Sequence, residues 1–233
     1  MELRIVETAS STNDAAKALA KSGAGHGDAV LAYRQTAGRG RMGRQFASPA
    51  GGVYLSVVLR PTAPLSELLH LTPVLAVAAC DAVEAVCGVR PRCKWVNDLL
   101  LGGKKLAGIL VESAGDALVA GIGVNVNTAP DAFPAELRGI ATSLAAETGR
   151  ESDRELLARE LARRFADACD TAISAQRVWM DRYRADCVTV GRRVTAGELE
   201  GLAVSVADDG ALLVETADGP VPIRTGEAQV AKL

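Results

Sequence analysis

The sequence predicts an α+β protein, a mixed β-sheet flanked by helices and followed by a small C-terminal β-barrel. Three observations carry that prediction. Short β-branched runs and amphipathic helical stretches alternate through roughly the first four-fifths of the chain. Two apolar runs meet at the glycine pair Gly102-Gly103, a hairpin pattern. From Gly191 the helical period is lost, and short β runs follow one another across Asp-Asp-Gly and Ala-Asp-Gly turns. The change places a boundary after residue 187, giving domains at 1–187 and 188–233.

Residues 3–7 alternate and are β-branched, a first strand. The polar run Ser10-Ser11-Thr12-Asn13-Asp14 then opens a helix through Ala15, Ala16, Leu19 and Ala20, with Ser11 at the expected N-cap. Its spare hydroxyl and amide groups are equally suited to a polar ligand head. Gly23, Gly25 and Gly27 end that helix, and strands are expected at 28–34 and 52–59. Residues 65–87 read as mainly helical, with Pro73 starting or kinking the main part. Residues 104–112 and 117–126 read as strands, and 130–139 as a proline-bearing loop. Ser152 and Glu155 form a capping box for a helix whose Leu157, Leu161, Phe165 and Cys169 recur every fourth residue. A further helix carries Trp179 and Tyr183 to about residue 186. The C-terminal β runs are expected at 192–194, 202–206, 211–215 and 221–224.

Between the strands at 28–34 and 52–59 lies Gln35-Thr-Ala-Gly-Arg-Gly-Arg-Met-Gly-Arg-Gln-Phe46. Gly38, Gly40 and Gly43 let backbone approach a ligand closely. Arg39, Arg41 and Arg44 offer planar donor forks suited to carboxylate and phosphate oxygens. A tight turn needs one glycine and no arginines, so the loop is expected to hold an anion.

Composition narrows the classes. A formal net charge of −2 over 233 residues argues against a general polyanion binder, and 3% aromatics leave few platforms for stacking bases. No nucleic-acid partner is expected. Five cysteines without a CxxC pair, beside two histidines, exclude a disulfide framework and a zinc site and suit buried, reduced thiols in the cytoplasm. No signal peptide or membrane span is legible, so no membrane partner is expected.

Gly121-Ile-Gly-Val-Asn-Val126 lacks the third glycine and the following helix of a dinucleotide fingerprint. Its glycines and Asn125 suit either a ligand contact or a tight strand end. More specific is Lys94-Trp-Val-Asn-Asp98 followed by Lys105-Leu-Ala-Gly-Ile-Leu-Val-Glu112. Packed beside the arginine loop, that hairpin would give one cleft cations for phosphates, a carboxylate for Mg²⁺ and a mobile lysine. These are parts for attack on a nucleotide α-phosphate, where positioning and charge stabilisation dominate.

Ser11-Thr12-Asn13, the loop 35–44, Lys94–Asp98, Lys105–Leu110 and Gly121–Asn127 stand in one order and spacing that resembles the biotin protein ligases over nearly the whole chain. The resemblance implies a class II synthetase-like catalytic domain with an SH3-like C-terminal barrel. It implies ATP-dependent ligation of biotin, through biotinyl-5′-AMP, to a lysine of a biotin carboxyl carrier protein, with ATP and Mg²⁺ as co-substrate and metal. Ser11, Thr12, Asn13 and Gln35 would hold the biotin head, and Arg39, Gly40 and Arg41 would close over carboxylate and phosphates. Lys105, Arg41 and Asp98 would be catalytic. Arg41, Arg44, Phe46, Asn97, Lys105 and Asn125 would line the nucleotide side, with Asp98 a candidate Mg²⁺ ligand. Family members are monomers or homodimers, so a homodimer is among the expectations.

Three positions depart from the family pattern: Val96 stands for a usual proline, Phe46 for a tryptophan and Met42 for an arginine. The resemblance starts within ten residues of Met1, so no helix-turn-helix and no operator binding are expected. The alternatives are a lipoate ligase or octanoyl transferase and, from another class, a non-catalytic biotin or nucleotide sensor.

Overall fold

In the computed structural model, which describes residues 1–224, 226 and 228–230, the chain begins with a parallel strand pair. Leu3–Val6 (β1) and Ala29–Ala32 (β2) lie side by side, with Thr12–Lys21 (α1) as the crossover. Val53–Leu59 (β3), Arg92–Lys94 (β4), Asp98–Leu101 (β5), Lys104–Ala114 (β6) and Ala117–Val124 (β7) complete a seven-stranded mixed sheet in the order β1-β2-β3-β7-β6-β5-β4. Every residue of β3 is buried, because helices cover both faces of the sheet there. On one face α1 packs Ala16 and Ala20 against Val30, Val58 and Val119. The other face carries the main core: Leu55, Val57, Ile109 and Ile122 of the sheet meet Leu71–Cys87 (α2) and, after the short helix Leu144–Thr148 (α3), Arg154–Thr171 (α4). Gln176–Asp186 (α5) packs on α2 in turn.

Arg193–Ala196 (β8), Leu199–Val206 (β9), Leu212–Thr216 (β10), Gly219–Ile223 (β11) and Gln229–Val230 (β12) form a second sheet, antiparallel in each described pairing, in the order β11-β10-β9-β8-β12. It joins the first body through specific bonds: the Trp95 indole N–H donates to the Gly210 carbonyl (2.9 Å), and the Trp95 amide to Thr189 Oγ1 (3.0 Å).

The mixed sheet with helices, the Gly102-Gly103 hairpin and the second sheet match the architecture predicted from sequence. Several local expectations are corrected. Ser11 sits at the N-cap of α1 but makes no capping bond. The N-cap of α4 is Asp153, whose Oδ1 accepts from the Glu155 and Leu156 amides, so Ser152 forms no capping box. The 65–87 region is a 3₁₀ turn at Leu65–Glu67 and then α2; Pro73, in its first turn, lacks an N–H that the helix would not use and leaves it unkinked. β9 starts three residues before the expected 202, since the turn before it sits at Gly197 rather than at an Asp-Gly pair. The 130–139 loop contains 3₁₀ turns at Pro130–Ala132 and Ala135–Leu137. All five cysteines are free and buried, with Cys80 and Cys93 sulfurs 3.8 Å apart. Among the described residues no helix is long and apolar enough to cross a membrane.

Candidate active site

The α1 face of the sheet carries a gap made by glycine. Register places Tyr54 of β3, Gly123 of β7, Gly108 of β6 and Asp98 of β5 in one cross-strand row. In the next row stand Ser56, Gly121 and Leu110. A Cβ on Gly123 would overlap the ring of Phe46, and one on Gly121 would overlap Asn13 Oδ1. The two glycines are therefore close-approach positions on which other side chains lie.

Above Gly121 sits a small polar pocket lined by Ser11, Thr12, Asn13, Gln35, Arg39 and Phe46. Its volume is about 30 Å³, room for little more than water, so a bicyclic ligand head needs its covering side chains to move. The walls are linked by hydrogen bonds. The Thr12 amide (2.8 Å) and hydroxyl (3.1 Å) donate to Gln35 Oε1, and Gln35 Nε2 donates to Ser48 Oγ (2.9 Å). Ser56 Oγ reaches Thr12 Oγ1 (2.8 Å) and Asn13 Oδ1 (2.6 Å). The uncapped Ser11 hydroxyl faces the pocket too. Short neutral donors and acceptors of this kind read an uncharged polar head.

The arginine loop folds back on itself: Gly40 N–H donates to Arg44 O (2.7 Å) and Phe46 N–H to Gly38 O (2.9 Å). Met42 at its tip has φ 54, is 71% exposed and stands at the rim of the crevice that Arg41 and Arg44 line. Arg39 turns over the pocket and pairs with Asp14 (2.5 Å) and Glu112 (3.0 Å). Arg41 turns the other way and donates to Asn97 Oδ1 (3.1 Å), while Asn97 Nδ2 is tied to Ile109 O (3.0 Å). Arg44 lines the same 110 Å³ crevice as Arg41, Asn97, Asp98 and Lys105.

A β-bulge aims Lys105. Leu99 pairs with Ala107, yet Leu100 pairs with Lys105, so one extra residue sits in β6. Leu106 and Ala107 are consecutively buried as a result, and Lys105 emerges on the face of Gly108 and Asp98. Its Nζ lies 2.7 Å from Asp98 Oδ1 and 5.7 Å from the Phe46 ring centroid. Beyond Phe46 a second crevice of about 110 Å³ is lined by Asn125, Phe133, Leu137 and Ile140. Asn125 Nδ2 donates to Thr142 O (2.9 Å), whereas its buried Oδ1 has no partner among the described residues. The oxygen is covered, so a ligand amine reaches it only once the lining of this crevice shifts.

Asp98 offers one carboxylate, and among the described residues no three His, Cys, Asp or Glu side chains cluster as a metal cage. That donor set fits Mg²⁺ held by one carboxylate together with phosphate oxygens and water, the usual mode for nucleotide-bound magnesium.

The structure thus brings the residues singled out from sequence around three adjoining cavities that share Phe46, with Asn13 entering as a wall whose polar atoms are already engaged. Sequence reasoning left Ser48, Ser56 and Glu112 without roles and gave Asp14 only a place in the first turn of α1; it treated Phe133 and Leu137 as plain loop and passed over Ile140. Apolar residues inside and just after a proline-bearing loop were the available signal for the second group. The first group carries no local signature, because its partners are remote in sequence.

Comparison with known proteins agrees with this geometry. Residues 5–128 match the model of the Biotin/lipoate A/B protein ligase family, and residues 188–230 match the Biotin protein ligase C terminal domain. The bifunctional ligase/repressor BirA of Bacillus subtilis is 36% identical over 232 residues, covering 95% of this chain and 71% of its own. The biotin--[acetyl-CoA-carboxylase] ligase of Paracoccus denitrificans is 37% identical over 211 residues, 85% of this chain and 88% of its own. The biotin protein ligase from Aquifex aeolicus, solved in complex with biotin and ATP, superposes with a TM-score of 0.86 at 30% identity, over 100% of this chain and 99% of that one. The chain belongs to the Biotin/lipoate A/B protein ligase family.

Proposed function

We propose that this protein is a biotin protein ligase, joining biotin to a lysine of a biotin carboxyl carrier domain in two steps. In the first, a biotin carboxylate oxygen attacks the α-phosphorus of ATP and the bond to the β-phosphate oxygen breaks, giving biotinyl-5′-AMP and pyrophosphate. In the second, the acceptor lysine amine attacks the acyl carbon, losing a proton as AMP departs with the bond electrons. Residues 1–187 serve as the catalytic domain and 188–233 as the appended barrel.

The observation that carries the reading is the position of the Lys105–Asp98 pair between a neutral polar pocket and an apolar slot with an orphaned acceptor. Thr12, Gln35 and Ser11 hold the ureido head, with Asn13 as wall. Arg39, Gly40 and Arg41 close over the carboxylate and phosphates, and Arg44 meets the nucleotide anion from the crevice rim. Lys105 neutralises charge developing on the reacting oxygens, a term worth about 10²–10³ in rate for a single well-placed donor. Asp98 keeps Lys105 in place and, with Mg²⁺ bound to supply charge neutralisation, adds one ligand oxygen. Asn97 holds Arg41, Phe46 covers the junction, and Asn125 reads the adenine amine. Closure of the loop keeps water from the acyl-adenylate.

The polar pocket favours biotin over lipoate, because a urea head offers Thr12, Gln35 and Ser11 hydrogen bonds in exchange for those they make with one another, whereas a dithiolane ring displaces such bonds and returns none. The carrier domain is the acceptor this chemistry requires, and five free buried thiols suit the reducing cytoplasm. The test is pyrophosphate release with biotin and then with lipoate, followed by transfer to a carrier domain. Release and transfer with biotin are expected. Release with lipoate alone would overturn the choice of substrate, and biotin binding without release would make the protein a sensor.

A further inference from the structure

Glu112 lies on β6 in register with Val119 of β7, one row beyond Leu110 and Gly121 of the polar pocket, and none of the roles above uses it. Its carboxylate is the meeting point of three elements. Oε1 accepts from Lys17 Nζ of α1 (2.6 Å). Oε2 accepts from Asn13 Nδ2 of α1 (2.6 Å) and from Arg39 Nη2 of the arginine loop (3.0 Å). One oxygen therefore holds both a wall of the head pocket and the cation that closes it.

The effect reaches further through Asn13. An amide oxygen turned toward Glu112 would face a carboxylate, so Nδ2 must point there and Oδ1 must point at Ser56. The single Ser56 hydroxyl proton lies between Asn13 Oδ1 and Thr12 Oγ1. Beside it, the Thr12 amide donates to Gln35 Oε1, Gln35 Nε2 donates to Ser48 Oγ, and Ser48 Oγ donates to the Phe46 carbonyl (2.9 Å). A carboxylate sets the Asn13 amide, and a backbone N–H sets the Gln35 amide. The amides of Asn13 and Gln35 are thereby fixed in orientation. A urea presents one carbonyl and two N–H groups in a rigid order, and a pocket whose donors and acceptors cannot swap reads that order without first paying to arrange itself.

We infer that Glu112 is a positioning residue for the ligation reaction, holding Asn13 and Arg39 so that the head pocket and its lid are ordered for the biotin head together. The inference rests on the reading of this pocket as the biotin site. It assigns Glu112 no contact with substrate.

The test is steady-state pyrophosphate release by Glu112→Gln, which keeps size but offers an amide that accepts or donates. The expected result is a biotin KM raised at least about tenfold, with the ATP KM and kcat within about twofold, the pattern of lost ground-state positioning. In an Asn13→Ala background the same substitution is expected to raise the biotin KM by less than it does in the wild type, since part of its effect runs through Asn13 and part through Arg39. Glu112→Asp retains the charge but draws the oxygens back by one methylene, so it too is expected to keep a raised biotin KM; it carries the test if the glutamine variant does not fold. A biotin KM unchanged in folded variants, or full additivity with Asn13→Ala, would overturn the inference. Parallel losses for biotin and ATP with a lowered melting temperature would mark a purely structural role and overturn it as well. Wild-type protein that releases no pyrophosphate with biotin would instead sink the ligase reading, a separable result.

Discussion

Lys105 Nζ and Asp98 Oδ1 lie 2.7 Å apart across the β5–β6 hairpin, beside the ring of Phe46. The pair holds the cation between the polar pocket and the crevice beyond Phe46, where in the proposed reaction the carboxylate and α-phosphate would meet. Lys105→Ala is expected to lower the rate of biotin-dependent pyrophosphate release by about 10²–10³, the scale for one charge-stabilising donor. Single-turnover release would measure it, and a rate near wild type would remove Lys105 from the chemistry.

Gly123 is where Phe46 rests, and an added methyl there meets the ring edge. Gly123→Ala is expected to push Phe46 off the glycine row, at about 1–3 kcal/mol of overpacking strain. Activity should fall while the circular dichroism spectrum stays native. Wild-type turnover would show that the ring position is unimportant.

Asn125 Oδ1 is a buried acceptor without a partner, beside Phe133 and Ile140. In the proposed site an adenine amine would satisfy it, whereas the guanine carbonyl at the corresponding position would oppose it. Asn125→Ala should raise the ATP KM by about tenfold and narrow the preference for ATP over GTP. Competition assays with both nucleotides read this out; unchanged selectivity would move the base elsewhere.

Burial pushes the Glu112 pKa up, but hydrogen bonds from Lys17, Asn13 and Arg39 outweigh that and bring it down from 4.5 to about 2. With the folded value below the unfolded one, ionised Glu112 stabilises the native state above about pH 4.5, and the contribution is lost as pH falls toward 2. Urea midpoints of the wild type should drop more steeply across that window than those of Glu112→Gln. Equal slopes would mean that the carboxylate is not held by these partners.

Asp81 of α2 joins Arg90 (2.8 Å) and Arg182 of α5 (2.6 Å), with Arg164 of α4 at 3.6 Å, and its side chain is 14% exposed. Asp81→Ala leaves these cations without their shared anion and should destabilise the fold by about 3 kcal/mol. Activity per folded molecule should be unchanged, because the cluster lies with α2, α4 and α5 on the face of the sheet opposite α1 and the cleft. Denaturation curves and active-site titration would separate the two effects.

Element types were legible because each carries a local period. The every-fourth-residue repeat of Leu157, Leu161 and Phe165 marks α4, all three fully buried, and the glycine pair at 102–103 marks a hairpin. Element ends were less legible. Ser152 and Asp153 are both competent caps, and the choice between them depends on where the preceding chain is held: Ser152 is pinned through its own amide and carbonyl to Asn127 (3.0 Å each).

The sequence by itself determined the alternation of strands and helices, the distinct C-terminal β region and the residue types of the cleft. Gly-rich arginine loops, polar helix starts and a lysine after a hairpin advertise anion and ligand chemistry through composition alone. Tertiary structure decided what those residues face. The bulge that turns Lys105 toward Asp98 depends on strand register, and the cross-strand row under Phe46 depends on four strands lying side by side. Glu112 gained its partners from residues 73, 95 and 99 positions away, a separation that no local pattern encodes and that packing of α1 and the arginine loop on one sheet face brings within hydrogen-bond range.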